Sequence, residues 1–350
     1  MNVLIDHHHG ALFRSLHYLF HNRLGYNVYV PYGIEWHDEM GLYSCYKNKD
    51  VARQMLYTWT DEEIYQKHYN FIPLTYDEYI STRIDLYVAS LYENHSVFEN
   101  CNVVFGDNDS KVIFQAGNNT PIVFCNEVDN FMSSSYPSYK ECDVANKVFY
   151  RQEFNLDFFK PTKPEKIRSI GCFKNYMDQV DLPLWGKLKE LMPDWEFKAY
   201  GHSNDDGTID DKEHLMAEIM GKFGFIFHVK HDDGYGHVIH NAFALGKPMI
   251  VNMEASYKTV GYDDNVRVRN TSTFLFEKDT SYDYFRPNYQ DNMEDFVLDS
   301  SSDPEYIAKR LNEIADDYDN YSQKVTEKFN KIVNFENDAL LVKEFLNKLI

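Results

Sequence analysis

The stretch from Asp233 to Val251 constrains the fold more than any other part of this chain. It reads Asp233-Gly234-Tyr235-Gly236-His237-Val238-Ile239-His240-Asn241-Ala242-Phe243-Ala244-Leu245-Gly246-Lys247-Pro248, followed by the apolar Met249-Ile250-Val251. Gly234 and Gly236 carry no Cβ, so the backbone there can come close to a bound group. A helix opening near Gly236 aims its unpaired N–H groups and positive dipole end at that group, and a phosphate is the natural occupant. Val238, Ala242 and Leu245 share one stripe of this helix and are expected to pack on a sheet. His237 and Asn241, four apart, share another face beside His240. Gly246 ends the helix, Pro248 bars its continuation, and a buried strand follows.

The flanking sequence has an α/β rhythm. Val3-Leu4-Ile5 reads as a short buried strand, followed by a loop from Asp6 to Gly10 and by Leu12, Leu16, Leu19 and Phe20 at helical spacing up to Gly25. Residues 27–31, 102–105 and 121–125 read as further strands, and 36–92 as helical insertions. After Lys160-Pro161-Thr162-Lys163-Pro164, whose prolines mark a connector, strands are expected at 167–172, 196–200 and 223–229, with a helix at 183–191. Two charged amphipathic helices are expected in 303–350. Strands separated by helices predict βαβ units and parallel sheets. A chain of 350 residues exceeds one ordinary core. The expected fold is therefore α/β, with two Rossmann-like lobes facing a cleft: residues 1–160, residues 161–325, and a last helix, 326–350, crossing back toward the first lobe.

Charge and composition weigh against several partners without excluding a nucleic-acid acceptor. Asp plus Glu total 55 against 35 Lys plus Arg, a formal net charge of −20, which argues against nucleic acid and anionic membranes as partners. No apolar run approaches the roughly 20 residues needed to span a bilayer. Residues 1–6 lack the basic start and long apolar core of a signal peptide, so a cytoplasmic protein is expected. The five cysteines, Cys45, Cys101, Cys125, Cys142 and Cys172, are scattered without a Cys-x-x-Cys pair, and read as reduced, mostly buried thiols.

The donor-loop residues resemble the two-lobed GT-B nucleotide-sugar glycosyltransferases, particularly the retaining family 4 group that includes sucrose-phosphate synthase. That family's loop reads Glu-Gly-x-Gly, four residues, then Glu-Ala-x-Ala-x-Gly-x-Pro. Here Asp233 stands at the first acidic position and Gly234, Gly236, Ala242, Ala244, Gly246 and Pro248 match in register, while Asn241 stands at the second acidic position. The resemblance implies transfer of a sugar from a nucleotide-sugar donor to a hydroxyl acceptor, without a metal or other cofactor. It implies that Asp233 contacts the transferred sugar, that Gly234, Tyr235, Gly236, His237 and His240 line the diphosphate side, and that Asn241 faces the ribose with one acceptor oxygen and no charge. The family's Gly-Arg and following Lys, which neutralise the diphosphate, are represented by Gly171-Cys172-Phe173-Lys174, so Lys174 takes the cationic role, with Arg168 and Lys230 as substitutes. Two other readings fit the departures: a catalytically degenerate carbohydrate- or nucleotide-binding module, and a sugar-nucleotide epimerase.

The remaining candidates belong to the first lobe. His7-His8-His9 follows the first strand, at the edge where open α/β sheets bind substrates, and allows a sugar or acceptor contact, loop packing, or a metal. Adjacent side chains on extended backbone alternate faces, which argues against the metal. His7 and His9 are taken as candidates for the reaction centre, with Asp6 as an orienting group or a base. Glu127 and Asp129 follow the expected strand at 121–125, and Asp129 is the candidate carboxylate there. His202, Glu35 and Trp36 are lesser candidates for wall contacts.

Overall fold

The structure is a computed structural model that describes residues 1–6, 10–42, 71–105, 110–116, 127–134, 139–140, 142–173, 182–201, 206–209, 212–229, 237–257, 280–283 and 293–349. The chain divides into two compact units. The first runs to Phe154 and resumes at Phe335; the second contains the described residues from Asn155 to Asn334.

The first unit holds a seven-stranded sheet of β1 (Asn2–Ile5), β2 (Asn27–Pro31), β3 (Ile72–Leu74), β4 (Leu86–Ala89), β5 (Lys111–Ala116), β6 (Asn130–Ser133) and β7 (Asn146–Phe149). Its order is β3-β2-β1-β4-β5-β6-β7, with every pairing parallel. Its helices are α1 (Gly10–His17), which continues as a π-helical turn at Tyr18–Arg23, α2 (Glu35–Asp38), α3 (Tyr76–Ile80) and α4 (Tyr92–Phe105). Thr75 and Glu78 form a reciprocal capping box that starts α3. Val3, Ile5, Leu86, Val88, Ile113 and Met132 form a solvent-free layer with Leu12, Phe13 and Leu16 of α1.

The second unit holds β8 (Lys166–Phe173), β9 (Glu196–Tyr200), β10 (Phe223–His228), β11 (Met249–Val251) and β14 (Val297–Asp299) in the order β14-β11-β10-β8-β9, again all parallel, with β12 (Glu254–Tyr257) and β13 (Thr280–Asp283) forming a separate antiparallel pair. The helices are α5 (Leu182–Leu191), α6 (Glu213–Gly221), α7 (His237–Ala244), α8 (Pro304–Asp316) and α9 (Tyr318–Ile332); the last helix, α10 (Phe335–Leu349), belongs to the first unit. Ile170, Cys172, Phe225, Phe227 and Ile250 pack one face of the sheet against Trp185 and Leu188 of α5 and Ile307 and Leu311 of α8. Gly224 sits where the β8–β10 register slips, and a Cβ there would fall 2.0 Å from the Ile167 carbonyl oxygen. No side chain larger than hydrogen fits that approach.

Three local expectations differ from the fold. Residues 102–105 are the end of α4 rather than a strand; Val103 and Val104 are 77% and 65% exposed, so their β-branched run lacks the burial that would have placed it in a sheet. The stretch read as helical insertions contains β3 and the central strand β4, whose four residues are all buried. The tail forms three helices, because Asp303 caps α8 through the amides of Glu305 and Tyr306, and the chain breaks again at Asp317 and after Ile332.

Candidate functional site

Each sheet has one place where its strand order reverses. In the first unit the chain builds outward from β1 to β2 and β3, then returns to β4 on β1's other side. In the second it passes from β8 to β9, then to β10 on β8's other side. Crevices beyond the C-terminal ends of the strands at such reversals are where open α/β sheets hold ligands.

At the second unit's reversal, β8 ends at Phe173 and β10 at His228. The next residues in sequence include Lys174 and the segment Asp233, Gly234, Tyr235 and Gly236, all of which lie outside the described residues. The helix that follows, α7, opens at His237 with no acidic residue in its first turn, so no carboxylate of that turn opposes an anion at its positive end. Gly246 has φ of 72° and α7 ends at Ala244. A Cβ on Gly246 would meet Ser322 Oγ at 2.7 Å and Thr326 Oγ1 at 2.8 Å, so this helix end is held tightly against α9.

The helix is buried more completely than a single apolar stripe provides. Ile239, His240, Ala242 and Phe243 are essentially solvent-free, while Val238, expected on the sheet-facing stripe, is half-buried. Sheet on one side and α9 on another enclose it. His237 is half-buried and shares a face with Asn241, one turn further in; Asn241 is 8% exposed and its Oδ1 has no hydrogen-bond partner among the described residues. His240 is fully buried and engaged with its surroundings. His228, which the sequence left inside a strand, ends β10 on the face opposite Phe227, where α6 and α7 lie; its position at a strand end beside the reversal was the available signal.

The structure also revises the cation argument. Gly171 and Cys172 lie within β8, and Cys172 is buried in the core with Trp185 and Leu188, so no ligand contact arises there. Gly171 is a packing residue: a Cβ would come within 2.8 Å of the Phe173 and Phe223 rings. Arg168 is near the other end of β8 and pairs with Asp316 at 2.6 Å. Lys230 and His202 lie outside the described residues. Just past α7, Lys247 is fully buried; its Nζ donates to the carbonyls of Thr162 at 2.6 Å and Gly221 at 2.9 Å, and burial pushes its pKa down to about 7.

At the first unit's reversal, His7 and His9 lie outside the described residues, between β1 and α1 in sequence. Asp6, at the end of β1, is fully buried. It accepts hydrogen bonds from the Ser90 amide at 2.7 Å, the Ser90 hydroxyl, the Leu91 amide at 3.2 Å and Asn94 Nδ2 at 2.8 Å. Burial raises its pKa, and these donors pull the other way. All its lone-pair directions are in use, so Asp6 clasps β1 to β4 and braces the first turn of α4, which leaves no site for a proton in transit. Asp129 stands just before β6, at the end of that strand opposite the ligand edge, because the strand begins at Asn130. It faces His95, which burial holds neutral with a pKa of about 4, and Glu99. Nearby, Glu127 accepts from the Tyr92 hydroxyl. Trp36 is fully buried with Nε1 bonded to the Leu74 carbonyl, a core position, and Glu35 beside it is exposed.

Comparison with known proteins separates fold from family. No protein-family model and no curated protein matches the chain. Among solved structures it is similar to the lipopolysaccharide outer core galactosyltransferase WaaB in its apo form (TM-score 0.53, 6% identity, all of both chains covered). It is also similar to AviGT4, a glycosyltransferase involved in avilamycin A biosynthesis (TM-score 0.52, 8% identity, 100% of this chain and 98% of that one). A third is TarM (TM-score 0.51, 10% identity), for which 75% of this chain covers 54% of that one, so this chain spans about half of TarM's length. The fold is GT-B: two Rossmann-like α/β units with parallel sheets, the terminal helix returning to the first. Among the described residues, no helix is long and apolar enough to cross a membrane.

Proposed function

We propose that this chain is a glycosyltransferase that binds a nucleotide-sugar donor on its second unit and transfers the sugar to a hydroxyl acceptor. The observation that carries this reading is the placement of α7. It opens at the β8/β10 reversal directly after a glycine-rich segment, with no acid in its first turn and, one turn in, a buried Asn241 oxygen that is unpaired among the described residues. An anion at the helix tip and a hydrogen-bond donor one turn away are what a nucleoside diphosphate presents. In the first unit, by contrast, a carboxylate already stands at this place: Asp6 accepts from the Ser90 and Leu91 amides just ahead of α4 and from the Asn94 side chain in its first turn.

In the proposed step the bond between the sugar's anomeric carbon and the diphosphate oxygen breaks, and the nucleoside diphosphate leaves with the electron pair. A bond to the acceptor oxygen forms, and the acceptor's proton passes to the departing phosphate or to solvent. The amides at the α7 opening, Gly234, Tyr235, Gly236, His237 and Lys174 stabilise the developing charge without a metal, His240 supports that helix, Asp233 holds sugar hydroxyls, and His7 and His9 line the reacting centre. The family resemblance points to retention of configuration.

A second reading, a binding module without turnover, is favoured by one observation: Cys172, in the core, supplies no cation for the diphosphate. Nucleotide release from UDP-glucose, GDP-mannose and ADP-glucose separates the two. The enzyme slowly hydrolyses one donor and loses this activity in Asp233→Ala; the module binds a donor and releases nothing. Conversion of the donor sugar to its epimer without net transfer identifies an epimerase.

A further inference from the structure

The chain enters the second unit at Asn155 and runs beside α6 before it starts β8. Between this connector and α6 lies an open groove of about 480 Å³, within the roughly 300–1,000 Å³ of small-molecule sites. On the helix side it is lined by His214, Ala217, Glu218, Gly221 and Lys222, one helical stripe about 12 Å long at 1.5 Å per residue. The facing wall is Asp157, Phe158, Thr162, Lys163 and Glu165.

The two walls are tied at both ends of the stripe. At one end the rings of Phe158 and His214 lie 6.0 Å apart, and the Asn155 amide donates to Glu213 Oε1 at 3.3 Å. At the other, Lys247 Nζ bonds the carbonyls of both Thr162 and Gly221, the Glu165 amide donates to the Lys222 carbonyl at 2.9 Å, and a Cβ on Gly221 would come within 3.2 Å of Thr162 Cγ2. Between these ties the buried Ala217 gives the groove a floor of one methyl group, so the space belongs to the folded chain. The second end lies beside Lys166 and Phe223, the first residues of β8 and β10, whereas α7 opens beyond the other end of β10.

The rim chemistry selects the occupant. Lys222 stands between Glu165 at 3.6 Å and Glu218 at 3.7 Å, and Lys163 pairs with Asp319 at 3.9 Å. The two signs interleave, so a polyanion would meet the carboxylates of Asp157, Glu165 and Glu218, and a polycation the two ammoniums. An extended peptide finds no strand edge to pair with: Thr162 gives its amide to Leu245 and its carbonyl to Lys247, and the Glu165 amide is used. What remains are carboxylate oxygens and ammonium protons beside one aromatic ring. Together they accept from and donate to sugar hydroxyls, while Phe158 packs on the C–H face of a pyranose.

We propose that this groove binds a short neutral oligosaccharide, separately from any sugar handled at the tip of α7. The inference goes beyond the glycosyltransferase reading, and gives the second unit a glycan contact away from the donor helix.

The test is a saturation-transfer NMR titration of the full chain with maltotriose, cellotriose and triacetylchitotriose. One of them is expected to bind with a Kd of about 1 mM. Glu218→Ala should weaken it about tenfold, the loss of one hydrogen bond to a charged group, and Phe158→Leu should weaken it as well. Glu218 is exposed, so the first variant keeps the fold. UDP, GDP and ADP should not displace the sugar, and their affinities should be unchanged in both variants. No binding by any trisaccharide, binding that both variants leave unchanged, displacement by a nucleoside diphosphate, or preference for an oligogalacturonate or a lysine-rich peptide would each overturn the proposal. Calorimetry with the nucleoside diphosphates measures the donor site by itself: its failure leaves the groove standing, and failure of the trisaccharides leaves the donor reading standing.

Discussion

Replacing Lys247 with Met should change the pH dependence of stability in a direction fixed by burial. The ammonium has no solvent contact and bonds only to two carbonyls in the described structure, and its pKa falls from the ordinary 10.5 to about 7. Below about pH 7 folded and unfolded chains both carry the proton, and above about pH 10.5 neither does. Between these limits the unfolded chain holds the extra proton, so raising the pH favours the folded state. From pH 7 to pH 9 this amounts to about 2 kcal/mol, reduced by whatever the carbonyl bonds return to the charged form. Met at this position removes the titration and relieves the cost of burying the ammonium, while it leaves the Thr162 and Gly221 carbonyls without this donor. Urea unfolding of both proteins at pH 7, 8 and 9 is the assay, followed by tryptophan fluorescence, because Trp185 and Trp195 lie in the core of the same unit. The stability of the natural chain relative to the variant should rise by about 2 kcal/mol across this range. Parallel curves would refute the depressed pKa and the burial argument behind it.

Other substitutions test the geometry. Gly246→Ala forces a side chain onto a backbone with φ of 72° and against Ser322 and Thr326, and should cost about 1–3 kcal/mol in urea unfolding. Asp6→Ala strips the acceptor from four donors at the β1–β4 junction and should cost about 2–4 kcal/mol, with amide exchange quickened at the start of α4. Asn241→Ala removes an acceptor that has no partner among the described residues, so its melting temperature should hold or rise while nucleoside diphosphate affinity falls about fivefold, measured by calorimetry.

Features set by local physics were legible in the sequence. β1, the stop at Gly246 and the strand after Pro248 follow from short apolar runs and from what glycine and proline permit, and the alternation of strand and helix announced two parallel sheets. What escaped depends on distant partners. β4 is a four-residue strand in a charged, aromatic neighbourhood, and its burial comes from neighbours at Val3 and Lys111, far away in sequence. Val103-Val104 looks like a strand only until its exposure is known. Asp6 looked like a potential base because nothing local reveals that Ser90, Leu91 and Asn94 converge on it. The Gly171-Cys172 pair looked like a weakened ligand motif, whereas β8 extends through both and turns Cys172 into the core. The groove along α6 gave no signal at all, since Thr162 and Gly221 meet only where Lys247 bonds both.

The central claim is that the tip of α7 receives a nucleoside diphosphate. Isothermal titration of the full chain with UDP, GDP and ADP tests it most directly. One of them should bind at a single site per chain, and Asn241→Ala should weaken that binding; heat-silent titrations with all three nucleotides, or binding that the variant leaves untouched, would contradict a diphosphate at this tip.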